Sequence, residues 1–215
     1  TSKNKTNNSN YFTDKDKDTS YDESTASTVK LSGSSASVSG DGVAVSGSTV
    51  TISKAGTYVI SGESDGVQIK VEAGDSDDVH IVLKGVTMSN TNAPISATKA
   101  GHVYLTLANG TTNTLSDSSS NSDEDADAVI FSKGDLTING SGTLNIDAKK
   151  NNGIKANDTL HITGGTYKIT AVGDALNVND ELNITGTTMT IDADEDAVKV
   201  DNDEDTSVGT MYLSD

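Results

Sequence analysis

The segment LHITGGTYKITA (Leu160–Ala171) returns 22 residues later as LNITGTTMTIDA (Leu182–Ala193), with seven of twelve positions identical. The same offset carries Asp174-Ala175 to Asp196-Ala197. One repeat earlier, LTINGSGTLNIDA (Leu136–Ala148) matches with one inserted residue. A pair of Asp or Asn followed by Ala or Gly recurs at Asp127-Ala128, Asn152-Gly153, Asp174-Ala175 and Asp196-Ala197. A fixed period of this length is the mark of stacked structural units.

Within one repeat the apolar residues fall as three alternating pairs, Leu176/Val178, Leu182/Ile184 and Met189/Ile191. Each pair reads as a short strand, and no Asn-Gly type hairpin turn sits regularly between them. The expected fold is all-β: a single-stranded right-handed parallel β-helix, a solenoid with three short strands per coil and a repeat of about 22 residues. Each strand would pair with its equivalent one coil away, about 4.8 Å distant. Inward residues would then form columns: Leu136/Leu160/Leu182, Ile138/Ile162/Ile184 and Ile146/Ile169/Ile191. The competing arrangement of short strands is a β-sandwich; the regular offsets favour the solenoid.

Composition fits a domain with little aromatic core. The 215 residues include 27 Ser, 28 Thr, two Phe and no Trp. The absence of Cys excludes disulfides, thiolate zinc sites and a cysteine nucleophile. Fifteen Lys, no Arg and 32 acidic residues give a net charge of −17. That balance argues against nucleic acid and against anionic lipid. No apolar run is long enough to span a bilayer.

Residues 1–28 are polar and aperiodic and read as a flexible tether, with Tyr11 and Phe12 placed to pin it to the domain of residues 29–215. The chain begins without Met, so it reads as a mature or trimmed form with room for a lipid or cell-wall anchor upstream of residue 1. It stops just after a strand-like piece, so a longer native protein is expected. The acidic stretch SDSSSNSDEDAD (Ser116–Asp127) reads as a loop protruding from the stack.

The sharpest chemical feature is an acidic ladder. Stacking would put Asp127, Asn152, Asp174 and Asp196 at equivalent turns, with Asp147, Asp192, Asp194 and Asp203 nearby. Two carboxylates about 4.8 Å apart repel by about 3.5 kcal/mol at an effective dielectric near 20. Such a column must be solvated, protonated or bridged by cations. All-oxygen ligands of this kind suit calcium, not zinc. Asp158/Asp180, with Asp135 one residue off, form a second, weaker ladder. For any single Asp the turn preference of the residue is explanation enough.

Lys155 and Lys199 are central in apolar-x-apolar strands, with Asn177 between them, so all three would face outward beside the ladder. They are candidate carbohydrate contacts, and equally ordinary surface residues balancing the acids. His80 and His161 alternate with apolar neighbours and are expected to face solvent; His102 starts a strand. No second His stands at ligand spacing, and no G-x-S-x-G elbow occurs. No catalytic residue is assigned. The threonines at Thr166, Thr187, Thr188 and Thr190 read as strand formers in irregular rows.

The run DAVIFSKGDLTINGSGTLNIDAKKNNGIKANDTLHITGGTYKI (Asp127–Ile169) resembles the core of a bacterial family of secreted, carbohydrate-binding parallel β-helix proteins. YFTDKDKDTSYDES (Tyr11–Ser24), VTISKAGTYVISG (Val50–Gly62), LANGTTNTLSD (Leu107–Asp117) and DAVKVDNDEDTSVGTMYLS (Asp196–Ser214) extend the resemblance over nearly the whole chain. It implies binding of cellulose and acidic sugars, likeness to calcium-dependent polysaccharide lyases, calcium as cofactor, and a secreted or cell-surface location. It does not say which acidic residues hold metal.

The resulting expectation is a non-catalytic, calcium-dependent binder of plant cell-wall polysaccharide, acidic (polygalacturonate) or cellulose. Calcium would bridge protein and sugar carboxylates that otherwise repel. The six Tyr form no evident row for cellulose. The alternatives are a pectate-type lyase with Lys155 or Lys199 as base, which the lack of Arg disfavours, and a passive surface adhesin or stalk.

Overall fold

The computed structural model describes residues 11–215; residues 1–10 of the expected tether lie outside the described residues. A single helical turn, α1 (Asp14–Lys17), precedes strands that sort into two sheets. The smaller sheet holds β3 (Val43–Ser46), β4 (Thr49–Ile52), β6 (Gln68–Glu72), β8 (Ile95–Lys99), β11 (Ala128–Ser132), β14 (Asn152–Ala156), β17 (Leu176–Val178) and β20 (Val198–Val200). The larger begins with β1 (Ser27–Gly33), β2 (Ser35–Ser39), β5 (Gly56–Asp65) and β7 (Asp78–Ser89). From β7 it forks into two arms. One is β9 (His102–Leu107), β12 (Leu136–Gly140), β15 (Thr159–Thr163), β18 (Glu181–Thr185) and β21 (Thr210–Ser214). The other is β10 (Thr112–Ser116), β13 (Thr143–Ala148), β16 (Thr166–Ala171) and β19 (Thr188–Ala193).

This corrects the expected architecture. The strands do not form a single-stranded right-handed β-helix of short coils; they form a 13-stranded and an 8-stranded sheet. The cause lies in the first third of the chain. β7 runs for 12 residues, pairing β9 through its first half and β10 through its last three residues. β5 runs beside it for 10 residues. The two cross the bend at glycines, Gly62 and Gly85, both at positive φ. A Cβ on Gly62 would strike the Leu31 carbonyl oxygen, so only glycine lets the strand continue through the bend. Two sets of strands that the period keeps apart are thereby one sheet. The pairs β1–β2 and β3–β4 are antiparallel, which the 22-residue period does not contain.

The side-chain columns survive the change of architecture, because register depends on the strand period alone. Leu136, Leu160 and Leu182 are paired partners, as are Ile138, Ile162 and Ile184, and Ile146, Ile169 and Ile191. They belong to one continuous core between the sheets, running from Val29 to Ile184. Burying each such side chain contributes about 1.5–3 kcal/mol. The columns thin towards the last strands: Met211 is 53% and Leu213 58% exposed.

Ile162→Ala is expected to lower the free energy of unfolding by about 2–5 kcal/mol through the cavity it leaves. Leu213→Ala, at the exposed end of a column, is expected to change it by less than about 1 kcal/mol. Urea titration of the two variants checks the contrast.

Candidate functional site

Strands β13, β16 and β19 of the large sheet end at Ala148, Ala171 and Ala193. A turn follows, and the small sheet resumes at β14, β17 and β20. Asn152, Asp174 and Asp196 follow one another along this corner, with polar groups turned to the neighbouring layer, but Asp127 falls one residue off the expected ladder because Ala128, not Asp127, is the partner of Asn152. The Asn152 Oδ1 accepts from the Asp174 N–H at 3.1 Å. The Asp174 Oδ1 accepts from the Asp196 N–H at 3.0 Å. Asp127 accepts from Lys155 Nζ at 2.7 Å and from Asn151. Asp174 also takes a bond of 2.6 Å from Asn177. Each of these side chains caps backbone or pins a neighbour, and Asp174 is only 3% exposed.

Lys155, Asn177 and Lys199 form one register column on the outer side of the small sheet, next to the ladder. Asp194 and Asp196 are exposed in the turn before β20. Asp147 and Asp192 lie round the corner on the large sheet, in register through Thr170. Asp203 stands apart, beyond the far end of β20, in a segment that Asn202 ties to Asp180. In the second ladder, burial and the charges of Asp135 and Asp180 push Asp158 above the usual carboxylate range. Among the described residues no three His, Asp or Glu side chains converge on a point where a metal ion would sit.

The acidic loop folds back onto the protein at both ends. Asp117 is buried, accepting from the Lys149 N–H at 2.6 Å and from Asn121. Burial pushes its carboxyl above the usual range despite these bonds. Ala126 packs with Ala93 on Phe131, an outward residue of β11. Between loop and corner lies a concavity of about 400 Å³ lined by Asn121, Asp123, Glu124, Asp127, Lys150 and Asn151. It offers carboxylate and amide oxygens beside ammonium groups, a set that hydrogen-bonds sugar hydroxyls. Asn151 escaped sequence reasoning because the alignment of the repeats put its neighbour Asn152 opposite Asp127, and Asn121 because it lies in the acidic loop.

A second feature was hidden in the sequence. Residues 11–26 lie as a clasp across the outer face of the large sheet. Phe12 is buried and Tyr11 stacks on Tyr212 with ring centroids 3.7 Å apart. Thr13 and Asp16 form a capping box around α1. The Asp16 carboxylate, 2% exposed, accepts from Thr13 and from Thr137 at 2.7 Å, and lies 3.2 Å from His161 Nδ1. Asn139, Thr163 and Asn183 donate to clasp carbonyls. His80 and His161 therefore point outward as expected but are half-covered by the clasp, not open to solvent. Uncharged Asn and Thr at outward positions of β12, β15 and β18 were the available signal. The threonine rows are also more regular than they read: Thr112, Thr143, Thr166 and Thr188 form one register column.

Comparison with known proteins fits this geometry. The family model of carbohydrate-binding domain-containing proteins matches residues 46–215. The chain belongs to that family. A carbohydrate-binding domain-containing protein of Acetivibrio thermocellus is 38% identical over 126 residues, 56% of this chain and 44% of its own length. The chain thus spans less than half the length of this relative. The solved structure of a polysaccharide lyase-like protein from C. thermocellum, a gadolinium derivative, superposes with a TM-score of 0.84 at 34% identity. The match covers 87% of this chain and 78% of that one. The fold is polysaccharide lyase-like. No described helix is long and apolar enough to cross a membrane.

Asp174→Ala leaves the Asp196 N–H without its acceptor and is expected to cost about 1–3 kcal/mol in urea unfolding, whether or not calcium is present. The clasp adds a pH dependence. Burial would raise the Asp16 carboxyl, but bonds from His161, Thr137 and Thr13 outweigh it and hold it far below the usual range. Burial would lower His161, but Asp16 and Glu181 outweigh it and raise it above its ordinary 6.5. The His161 contribution is complete below about pH 6.5 and is lost as pH rises through the raised value. That of Asp16 persists until strongly acidic pH. Melting temperature measured from pH 6 to 9 is therefore expected to fall more steeply for the wild type than for His161→Gln.

Proposed function

We propose that the chain is a non-catalytic polysaccharide-binding module acting at the bacterial cell surface. Its principal contact is the outward column Lys155–Asn177–Lys199 beside the ladder. That column carries the reading: three hydrogen-bonding side chains in register, about 4.8 Å apart, at the rim of the loop concavity. Membership of a carbohydrate-binding family and the lyase-like fold support it. The preferred ligand is an acidic plant cell-wall chain such as polygalacturonate.

Calcium enters the proposal as a bridging ion. Its hard oxygen chemistry suits the exposed carboxylates of Asp194 and Asp196. With no group of three protein ligands converging among the described residues, the remaining oxygens would come from the sugar and water. The ion would offset repulsion between a −17 protein and a polyanion. Of the two candidate lyase bases, Lys155 is disfavoured because it is engaged with Asp127 at 2.7 Å, and the lack of Arg disfavours the chemistry at Lys199 as well. A proton-abstracting amine needs a free lone pair.

Calorimetry with polygalacturonate should register binding in calcium and at least a tenfold weakening in EDTA. The double variant Lys155→Ala/Lys199→Ala should lose binding in both, and Lys199→Ala alone, which breaks no ion pair among the described residues, should weaken binding without a change in melting temperature. Absorbance of unsaturated uronide should not rise at neutral or alkaline pH; a rise abolished by Lys155→Ala would establish the lyase instead. Equal binding by wild type and double variant would refute the assignment of this column.

A further inference from the structure

We infer that the fold makes Asn109 a site of spontaneous covalent modification: deamidation through a succinimide to aspartate and isoaspartate, with Ser141 as hydrogen-bond donor to the reacting amide. The sequence contains three Asn-Gly pairs, Asn109-Gly110, Asn139-Gly140 and Asn152-Gly153. In such a pair no Cβ shields the nitrogen that follows the Asn, so it can reach the side-chain amide. Whether it does so depends on what the fold does with both groups.

Two of the pairs are locked. Asn139 is fully buried in β12. Its amide donates to the carbonyls of Asp16 and Asp18 at 3.1 and 3.0 Å and accepts from Thr106 at 2.6 Å. Gly140 is held in register with Leu107. Asn152 is 3% exposed, and its Oδ1 accepts from the Asp174 N–H at 3.1 Å. The Gly153 N–H, which would supply the nucleophile, donates to the Asp174 carbonyl at 2.9 Å. Ring closure at either pair breaks these bonds where water cannot replace them.

The third pair is free to react. Asn109 and Gly110 are exposed in the turn between β9 and β10, which the Thr111 N–H closes on the Ala108 carbonyl at 3.2 Å. The Gly110 N–H has no acceptor among the described residues, and the space beside its Cα is open. The Asn109 side chain makes one bond: its Oδ1 accepts from Ser141 Oγ at 2.9 Å. That bond leaves the amide nitrogen free to depart. It also aims a donor at the oxygen that becomes negative when the amide carbon is attacked, as in an oxyanion hole.

The reaction needs only water. The Gly110 nitrogen gives its proton to solvent and bonds to Asn109 Cγ, while the Cγ–Nδ2 bond breaks and ammonia leaves with a proton from solvent. Adjacency in the chain makes the attack intramolecular. Water then opens the five-membered ring at either carbonyl, giving a carboxylate on the normal backbone or a backbone routed through the side-chain carbon. Either product adds one negative charge at a concavity of about 210 Å³ that Tyr21, Lys84 and Ser141 also line. The clasp is seated beside it, with Tyr21 and Ala26 packed on the patch that contains Ala108.

The test is peptide mapping of the folded chain after incubation at mildly alkaline pH, beside the same chain in urea. Cleavage after lysine puts the three Asn-Gly pairs in separate peptides, and fragmentation locates the mass gain of amide to acid. In the folded protein Asn109 is expected to convert at least tenfold faster than Asn139 or Asn152, and in urea the three rates should come within a few-fold of one another. Ser141→Ala, at an exposed position, is expected to slow Asn109 several-fold in the folded protein only, with an unchanged melting temperature. Equal rates in the folded protein, or a faster Asn139 or Asn152, would overturn the site. Selectivity that persists in urea would assign it to local sequence and overturn the part given to the fold. A Ser141→Ala variant that reacts as fast or faster would overturn the part given to Ser141.

Discussion

Everything in this molecule hangs on parallel, in-register backbone pairing between segments about 22–24 residues apart. Leu160 pairs with Leu182 and, one layer earlier, with Leu136. That pairing satisfies the backbone polar groups of each strand and stacks aliphatic side chains into columns. A few Leu and Ile per layer therefore suffice where a globular domain would need aromatic bulk. The same pairing repeats every outward side chain at a spacing near 4.8 Å. A polar group placed once per repeat becomes a line of such groups, and the proposed saccharide column Lys155–Asn177–Lys199 is a line of this kind.

Repetition also repeats charge, and the corner indicates how that is tolerated. Asn152 heads the column of Asp174 and Asp196, and Asp127 falls one residue off it, beside Asn151, which keeps the Asp127 and Asp174 carboxylates from stacking. Asp127 is matched by Lys155, and Asp174 spends its oxygens on the Asp196 N–H and on Asn177. Backbone amides of one layer take the place that solvent or a cation would otherwise fill. Of the ladder residues only the last, Asp196, stays exposed. On the opposite face Asp16 plays a related part. Its carboxylate and carbonyl take bonds from Thr13, Thr137, Asn139 and Thr163 on three separate elements, lacing the layers together.

What the sequence made legible was local and periodic. The Leu and Ile columns, the turn line of Asn152, Asp174 and Asp196 and the outward set of Lys155, Asn177 and Lys199 all follow from counting by twos and by 22, whereas Asp127 was placed one residue out. The division into two sheets was not legible. It depends on β5 and β7 running through Gly62 and Gly85, in a region where the repeat is degenerate and a glycine reads as a strand end. The clasp was illegible for another reason. Its partners Asn139, Thr163 and Asn183 are more than a hundred residues away from it, and no local pattern records a contact of that range. The return of the acidic loop through Asp117 and Ala126 was masked by its composition, since an acidic run reads as solvated whatever its two ends do.

On the proposed reading the acidic polysaccharide lies along the outward column Lys155–Asn177–Lys199 beside the ladder. The most direct measurement is a ¹H–¹⁵N NMR titration of the labelled protein with galacturonate oligomer in calcium. Shift changes are expected to concentrate at Lys155, Asn177, Lys199 and the neighbouring Asp194–Asp196 turn, while β10 and β13 stay still. Changes confined to another face, or none at saturating sugar, would contradict it.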